Sequence, residues 1–209
     1  MADHDHHDHD HDHEHHDHDH DDPDPEHDHA EEDQEIEREA RRLFALSRIR
    51  QYGDTVLRMK AREVEAFDGD LERLVERMTE LMHEANGVGL AATQVGVLRR
   101  LFVFVDEGED RVIVNPTITK RSKDAEIDEE GCLSLREVLV PVERAKSVTI
   151  EGVDTKGEPV TFELELPASR VVQHELDHLD GVLIIDRTDA ESRRTALARL
   201  RPQPVLGAR

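Results

Sequence analysis

The chain has 209 residues and a formal net charge of −23, with 50 acidic residues against 27 lysines and arginines. Subtracting the 16 negative charges of the first 33 residues, which contain no lysine or arginine, leaves −7 for the remainder. This mildly acidic remainder gives no reason to expect DNA binding through a basic face. No apolar run reaches the ~18 residues of a membrane helix, and the amino terminus lacks a secretory signal. Together with a single cysteine, Cys132, these features predict a cytoplasmic protein without membrane association.

The first 34 residues form a tail rich in histidine and aspartate, and it holds 12 of the 15 histidines. We expect the tail to be disordered, because it has too few apolar residues to offset the entropy lost on ordering. Its imidazoles and carboxylates predict several weak metal sites. An acidic extension that only raises solubility explains the composition equally well. Residues 35–45 are a charged leader in which a short helix can form.

Apolar spacing predicts the elements that follow in the chain. The run "DLERLVERMTELMHEANG" predicts an amphipathic helix that stops at Asn86 and Gly87. Short β-type runs come next, and "DTKGEP" predicts a hairpin turn between the last two of them. A second helix is predicted over "PASRVVQHELDHLDG" and a third over "ESRRTALARL". Strands bracketed by separate helices, without regular βαβ alternation, predict an α+β domain of short antiparallel strands around the helix that contains "QHELDH".

The motif "QHELDH" carries the clearest chemistry. His174 and His178 lie one helical turn apart and share a face, with Glu175 beside them. Imidazoles suit zinc or iron, and a neighbouring carboxylate can take a proton from water. A surface helix with two polar histidines is the competing interpretation.

The spacing of His174 and His178 does not identify the third metal ligand. A metallopeptidase of the metzincin kind would have another histidine where this chain has Ile184. Asp180, Asp186 and Asp189 are carboxylate candidates downstream. Cys132, in "EEGCLSL", is either an inert buried residue or the thiolate of a Cys/His/His site whose open position takes water. The late-helix His83 is expected to have no ligand role.

Three motifs, "GVGLAATQVG", "EGCLS" and "QHELDH", resemble the signature motifs of the peptide deformylases, in the order that this family has them. The stretch "RIRQYGDTVLRMKAREV" resembles the start of that domain. The resemblance covers residues 46–190, leaving 191–209 as a carboxyl-terminal helix and basic tail. It implies a metal-dependent hydrolase that removes the formyl group from N-formylmethionyl peptides at the start of new proteins and releases formate.

The resemblance also implies roles for individual residues. Cys132, His174 and His178 would bind the metal, which is typically Fe(II) in this family, with Zn or Ni able to replace it. Glu175 would be the general base. Gln94 and the backbone N–H of Leu133 would face the formyl oxygen.

The glycine-rich loop "GVGLAATQVG" is expected to contribute to substrate binding. The resemblance implies that Gly89 would meet the substrate backbone, and glycines at 87 and 89 allow a peptide to approach closely. A helix end followed by a tight turn is the competing explanation of this loop. Two departures from the family pattern, Arg136 and Leu139, border the expected groove and leave the peptide preference open.

Two other functions compete with the deformylase hypothesis. A peptidase that cuts internal bonds is disfavoured by Ile184 and by the upstream cysteine, and a metal-storage or metal-delivery protein is suggested by the tail. The arginine-rich carboxyl terminus allows a transient ribosome contact, although a solvated helix face explains it as well.

Overall fold

The structure, a computed structural model, describes the backbone of residues 25–201 and the side chains of residues 33–201. The chain divides after Glu37 into two compact units, and the second unit, Arg38–Arg209, holds the fold described below. Helix α1 runs over Pro25–Arg48, so it begins before the predicted leader of residues 35–45. Residues 1–24 of the predicted tail lie outside the described residues.

The regular elements follow in chain order. The other helices are α2 (Gly69–Glu84), α3 (Ala168–Leu179) and α4 (Ala190–Leu200). The strands are β1 (Gly89–Ala91), β2 (Leu101–Asp106), β3 (Glu109–Arg121), β4 (Ala125–Cys132), β5 (Leu135–Ala145), β6 (Ser147–Val153) and β7 (Pro159–Glu165). Short 3-10 turns cover Thr55–Arg58, Ala92–Val95 and Ile184–Asp186.

The strands form two antiparallel sheets. One has the order β1-β2-β3-β6-β7, and the other is the pair β4-β5. The hairpin predicted at "DTKGEP" joins β6 to β7, which pair in register from Val153↔Pro159 to Ser147↔Glu165. Separate helices and antiparallel strands confirm the predicted α+β class.

Both faces of the larger sheet are covered by helices, and β2 shows why. Leu101 and Val103 point into a cluster with α2, while Phe102 and Phe104 point into a cluster with α3. Successive side chains of a strand face opposite sides, so a continuous apolar run can serve two cores. Helix α3 is therefore held at the centre of the domain, with Val172 completely buried.

The predicted helices over "DLERLVERMTELMHEANG" and "PASRVVQHELDHLDG" are confirmed, with small shifts at their ends. Helix α2 begins at Gly69, because the Asp68 carboxylate accepts hydrogen bonds from the amides of Asp70 and Leu71. Asn86 adopts a left-handed conformation with φ of 55° just beyond the helix, in agreement with the predicted stop.

Strands β1 and β4 were not predicted from the sequence. Strand β4 carries the acidic run "AEIDEEGC" and is exposed along most of its length, so it has no apolar alternation to reveal it. Strand β1 is only Gly89–Ala91, with Ala91 entering the next 3-10 turn. Both strands nevertheless carry residues of the site. No helix of the described residues is long and apolar enough to cross a membrane.

Candidate metal centre and active site

Helix α3 presents the "HELDH" residues toward the interior. His174, Glu175 and His178 are all buried, with 9%, 4% and 1% of their surfaces exposed. The two imidazole ring centroids lie 5.0 Å apart, as expected for residues one turn apart on one face. The competing interpretation of a solvated surface helix is therefore wrong.

Cys132 meets these histidines from the end of β4. Its Sγ lies 3.2 Å from Nε2 of His178, although the two residues are 46 positions apart in the chain. One ligand atom from each of Cys132, His174 and His178 can be chosen so that all lie within 4.8 Å of one another. The three residues that the sequence analysis singled out as ligands are thus brought together.

The arrangement fits a tetrahedral metal ion. Ligand atoms at the usual zinc distances of about 2.0–2.3 Å lie roughly 3.3–3.8 Å apart around such an ion. The separation of 3.2 Å between Cys132 Sγ and His178 Nε2 is close to that range, and the other separations do not exceed 4.8 Å. The donor set of one thiolate and two imidazoles leaves a fourth position for water, the arrangement of a catalytic site.

The alternative carboxylate ligands are engaged elsewhere. Asp180 accepts a hydrogen bond from Arg100 Nη1 at 2.8 Å, and Asp186 forms an ion pair with Arg58. Asp189 caps the start of α4 by accepting from two backbone amides. These contacts leave Cys132 as the residue that completes the His174 and His178 group among the described residues.

Glu130, which the sequence analysis missed, orients His174. Its Oε2 accepts a hydrogen bond from His174 Nδ1 at 3.0 Å, which leaves Nε2 of that ring for a metal. Glu130 stands two residues before Cys132, and residues at this spacing in a strand share a face. If β4 had been predicted as a strand, this spacing would have placed Glu130 beside the site.

Glu130 is in turn held by two arginines. Arg144 donates from Nε and Nη2 to its two carboxylate oxygens at 2.9 and 3.0 Å, and Arg170 donates to Oε1 at 2.9 Å. Arg144 also donates to Asp177 of "QHELDH" at 2.6 Å, and Asp177 accepts from Arg187 as well. This buried network ties β4 and β5 to α3 and fixes the approach of Cys132 to the histidines.

The electrostatics of the network follow from burial and pairing. Burial alone would raise the pKa of Glu130, but hydrogen bonds from His174 and Arg144 lower it to about 2. Burial likewise acts to lower the pKa of His174, yet its bonds with Cys132 and Glu130 raise that pKa well above the usual value. Burial and the neighbouring His174 lower the pKa of His178.

Glu175 occupies a buried position next to His174, with 4% of its surface exposed. Burial raises the pKa of its carboxyl group to about 7. Its Oε2 is buried and has no hydrogen-bond partner among the described residues. A buried carboxylate oxygen without a partner is costly, which makes Glu175 a candidate for a functional role.

The glycine at position 89 makes room for that carboxylate. A Cβ added to Gly89 would lie 2.5 Å from Glu175 Oε1 and 2.8 Å from Val171 Cγ1. A Cβ at Gly87 would lie 2.9 Å from Leu133 Cδ1. Both glycines line the cavity described below, and Gly89 also allows strand β1 to pass directly over Glu175.

The side-chain NH2 group of Gln94 points toward Cys132, one of the three candidate metal ligands. Its Oε1 accepts from the Ala91 amide at 2.8 Å, and a backbone N–H can only donate, so Nε2 points the other way. Nε2 lies 3.2 Å from Ser134 Oγ and 3.8 Å from Cys132 Sγ. Leu133 lies in the turn after β4, where its carbonyl accepts from Gln51 Nε2 at 3.1 Å.

These residues surround a cavity of about 590 Å³, a size suited to a small ligand or a few residues of a peptide. Gln94, Cys132, Leu133, His174 and Glu175 all line it. Arg136 lines the cavity as well, and Leu139 is 58% exposed, so both departures from the family pattern lie on accessible surface. His83 is instead half-exposed on α2 and bonds to Asp110 Oδ1 at 2.7 Å.

Comparison with known proteins agrees with this geometry. Residues 46–194 match the family model described as polypeptide deformylase. A peptide deformylase from Thermotoga sp. (strain RQ2) is 49% identical over 147 residues, covering 70% of this chain and 89% of that protein. The peptide deformylase of Acidothermus cellulolyticus is 45% identical over 163 residues, covering 78% of this chain and 90% of that protein.

Solved structures agree as well. The crystal structure of peptide deformylase from Thermotoga maritima superposes with a TM-score of 0.66 at 48% identity, covering 68% of this chain and 97% of the other. That from Thermus thermophilus superposes with a TM-score of 0.69 at 46% identity, covering 73% and 91%. With its three motifs gathered around one cavity, the chain belongs to the polypeptide deformylase family.

Proposed function

We propose that this chain hydrolyses the formyl group from the initiator methionine of newly made polypeptides and releases formate. This is the reaction of the family to which the chain belongs, and it makes the chain a hydrolase. One observation carries the proposal: among the described residues, Cys132 and His174 of the Cys/His/His group line one cavity together with Glu175, whose buried Oε2 has no hydrogen-bond partner.

The residues that would hold the metal are Cys132, His174 and His178. We assign Fe(II) as the native ion and expect Zn or Ni to be able to replace it, since thiolate and imidazole ligands suit all three. When bound, such an ion lowers the pKa of water from ~16 to roughly 7 and polarises a carbonyl oxygen. The bond from His174 Nδ1 to Glu130 supports the assignment, because it fixes the ring and raises its basicity as a ligand.

Glu175 acts as the general base in this scheme. Its free Oε2 accepts a proton from the attacking water, and the same carboxyl group then donates that proton to the nitrogen of the departing amine. Water supplies the oxygen that ends in formate, and the peptide leaves with a free amino terminus. Enclosure beneath Gly89 keeps the carboxylate in one position through both transfers.

Gln94 and Leu133 stabilise the oxyanion that forms at the formyl oxygen. The bond from the Ala91 amide to Gln94 Oε1 leaves the side-chain NH2 group directed toward Cys132, as a donor to this oxyanion must be. The backbone N–H of Leu133, in the adjoining turn, is the second donor. Gly87 and Gly89 line the cavity where the N-formylmethionyl peptide binds.

Cleavage of internal peptide bonds is the weaker alternative. Ile184, at the position of the third metzincin histidine, is 2% exposed and packs in a hydrophobic cluster with Leu183 and Ile185. It therefore belongs to the core and offers no ligand. Storage or delivery of metal by the histidine-rich tail concerns residues outside the described side chains and stays a prediction from composition.

The cellular setting follows from the substrate. Newly made polypeptides are found at cytoplasmic ribosomes, so we assign the chain to the cytoplasm. Helix α4 carries Arg193, Arg194 and Arg199, which supply cations for a transient contact with ribosomal RNA. A salt-dependent association with ribosomes, lost when these three residues are replaced, is the expected signature.

The test of the function is formate release from formyl-Met-Ala-Ser, with metal content measured on the same sample. Glu175→Gln should keep the metal, because no ligand is lost, and should reduce turnover by at least ~10²–10⁴-fold. Hydrolysis of internal bonds with no formate released would support a peptidase instead. Near-normal turnover in a fully metal-loaded Glu175→Gln enzyme would end the assignment of the base.

A further inference from the structure

One face of helix α1 lines the same cavity as the site. Glu39, Arg42, Leu43 and Leu46 lie at the i, i+3, i+4 and i+7 spacing of one helical face, and all four line the cavity. The family match begins at residue 46, so the first three precede it. They belong to the wall of the cavity but lie outside the segment that the family model matches.

The end of α1 is anchored firmly in the domain. Ala45 and Leu46 are 0% and 4% exposed and belong to the core cluster formed with α2. Just beyond the helix, the Arg50 amide donates to the Gln94 carbonyl at 2.7 Å, and Gln51 Nε2 donates to the Leu133 carbonyl at 3.1 Å. The helix is therefore fixed to the two segments that carry the oxyanion donors.

On this face of α1, Leu43 offers an exposed apolar side chain, and the charges of Glu39 and Arg42 offset each other. Leu43 is 51% exposed although it lines a cavity, and Val88, which lines the same cavity, is 58% exposed. Arg42 is paired with Glu39 at 3.1 Å, so the helix contributes little net charge there. Cys132 and Glu175 line the same cavity, so substrate residues that follow the formyl-methionine can reach this surface.

We propose that Leu43 is a specificity-determining residue that packs against an apolar side chain of the substrate located after the methionine. The proposal rests on the deformylase function and deepens it by naming a preference for apolar residues early in the nascent chain. Covering the exposed half of a leucine side chain stabilises the complex enough to lower KM by about three- to tenfold. Leu43 does not touch the reacting atoms, so kcat should not depend on it.

The test uses formyl-Met-Ala-Ala-Ala and its three versions with a single leucine in place of one alanine. For the unsubstituted enzyme, one of the leucine peptides should have a KM about three- to tenfold lower than the all-alanine peptide. Leu43→Ala should abolish that advantage with kcat unchanged, and Leu43→Met should retain it. Phe44→Ala is the matched control, because Phe44 is a neighbouring apolar residue, 64% exposed, on a different face of the helix.

The outcomes separate the two proposals. No formate from any peptide would overturn the deformylase function and this inference together. Formate release with a leucine advantage that survives Leu43→Ala, or with no leucine advantage, would overturn the inference alone. An equal KM rise for all four peptides would also overturn it, because the contact would then not be with a side chain after the methionine.

Discussion

Replacement of Gly89 by alanine should disable the enzyme by moving its base. The new Cβ would lie 2.5 Å from Glu175 Oε1 and 3.0 Å from its Cδ, whereas ordinary contacts begin at 3.4 Å. The carboxylate must therefore move by about 0.9 Å, and it cannot rotate freely because Glu175 is only 4% exposed. A displacement of about 1 Å in a catalytic group costs roughly 10²-fold in rate.

The ligands do not include Gly89 or Glu175, so the metal content should be unchanged. Overpacking should lower the free energy of unfolding by about 1–3 kcal/mol, which leaves the enzyme folded at assay temperature. The assay is formate release from formyl-Met-Ala-Ser, with metal content and thermal unfolding measured on the same preparation. The expected result is a ~10²-fold loss of kcat at full metal occupancy.

Gly131→Ala is the matched control within the same cavity. Its added Cβ would lie 3.1 Å from Leu139 Cδ2, the end of a side chain that is 58% exposed and free to move. We expect kcat within about threefold of the unsubstituted enzyme, because a flexible exposed side chain adjusts at little cost. If Gly89→Ala also keeps kcat within that range, the close approach of β1 does not position Glu175, and the reasoning is refuted.

Three further predictions concern the groups around the metal. Gln94→Leu removes an oxyanion donor and should reduce kcat roughly 10²–10³-fold with a much smaller change in KM; a loss confined to KM would assign Gln94 to binding instead. Cys132→Ser replaces a thiolate by a poorer ligand and should weaken Fe(II) binding, measured by competition with a chelator, whereas unchanged affinity would exclude the sulfur as a ligand. Glu130→Gln disturbs the bonds to His174 and Arg144 and should weaken metal affinity by about 10–100-fold, while the exposed neighbour in Glu129→Gln should leave it unaltered.

Local patterns accounted for the elements that have strong periodicity. The spacing of His174 and His178 was enough to predict that they share a face, because residues four positions apart lie on the same side of any α-helix. The apolar run of β2 and the turn between β6 and β7 were likewise readable in the sequence. Strand β4 was not, since its exposed acidic residues lack the alternation on which such a prediction depends.

The sequence by itself determined the family and singled out the candidate residues of the site, through three motifs and the family they resemble. Only the tertiary structure decided what supports them: Glu130 behind His174, Arg144 between Glu130 and Asp177, and Gly89 over Glu175. These contacts join segments far apart in the chain, and no local period encodes such pairings. The position of α1 along the cavity was likewise decided only by the tertiary structure, because it depends on how Leu46 packs into the core.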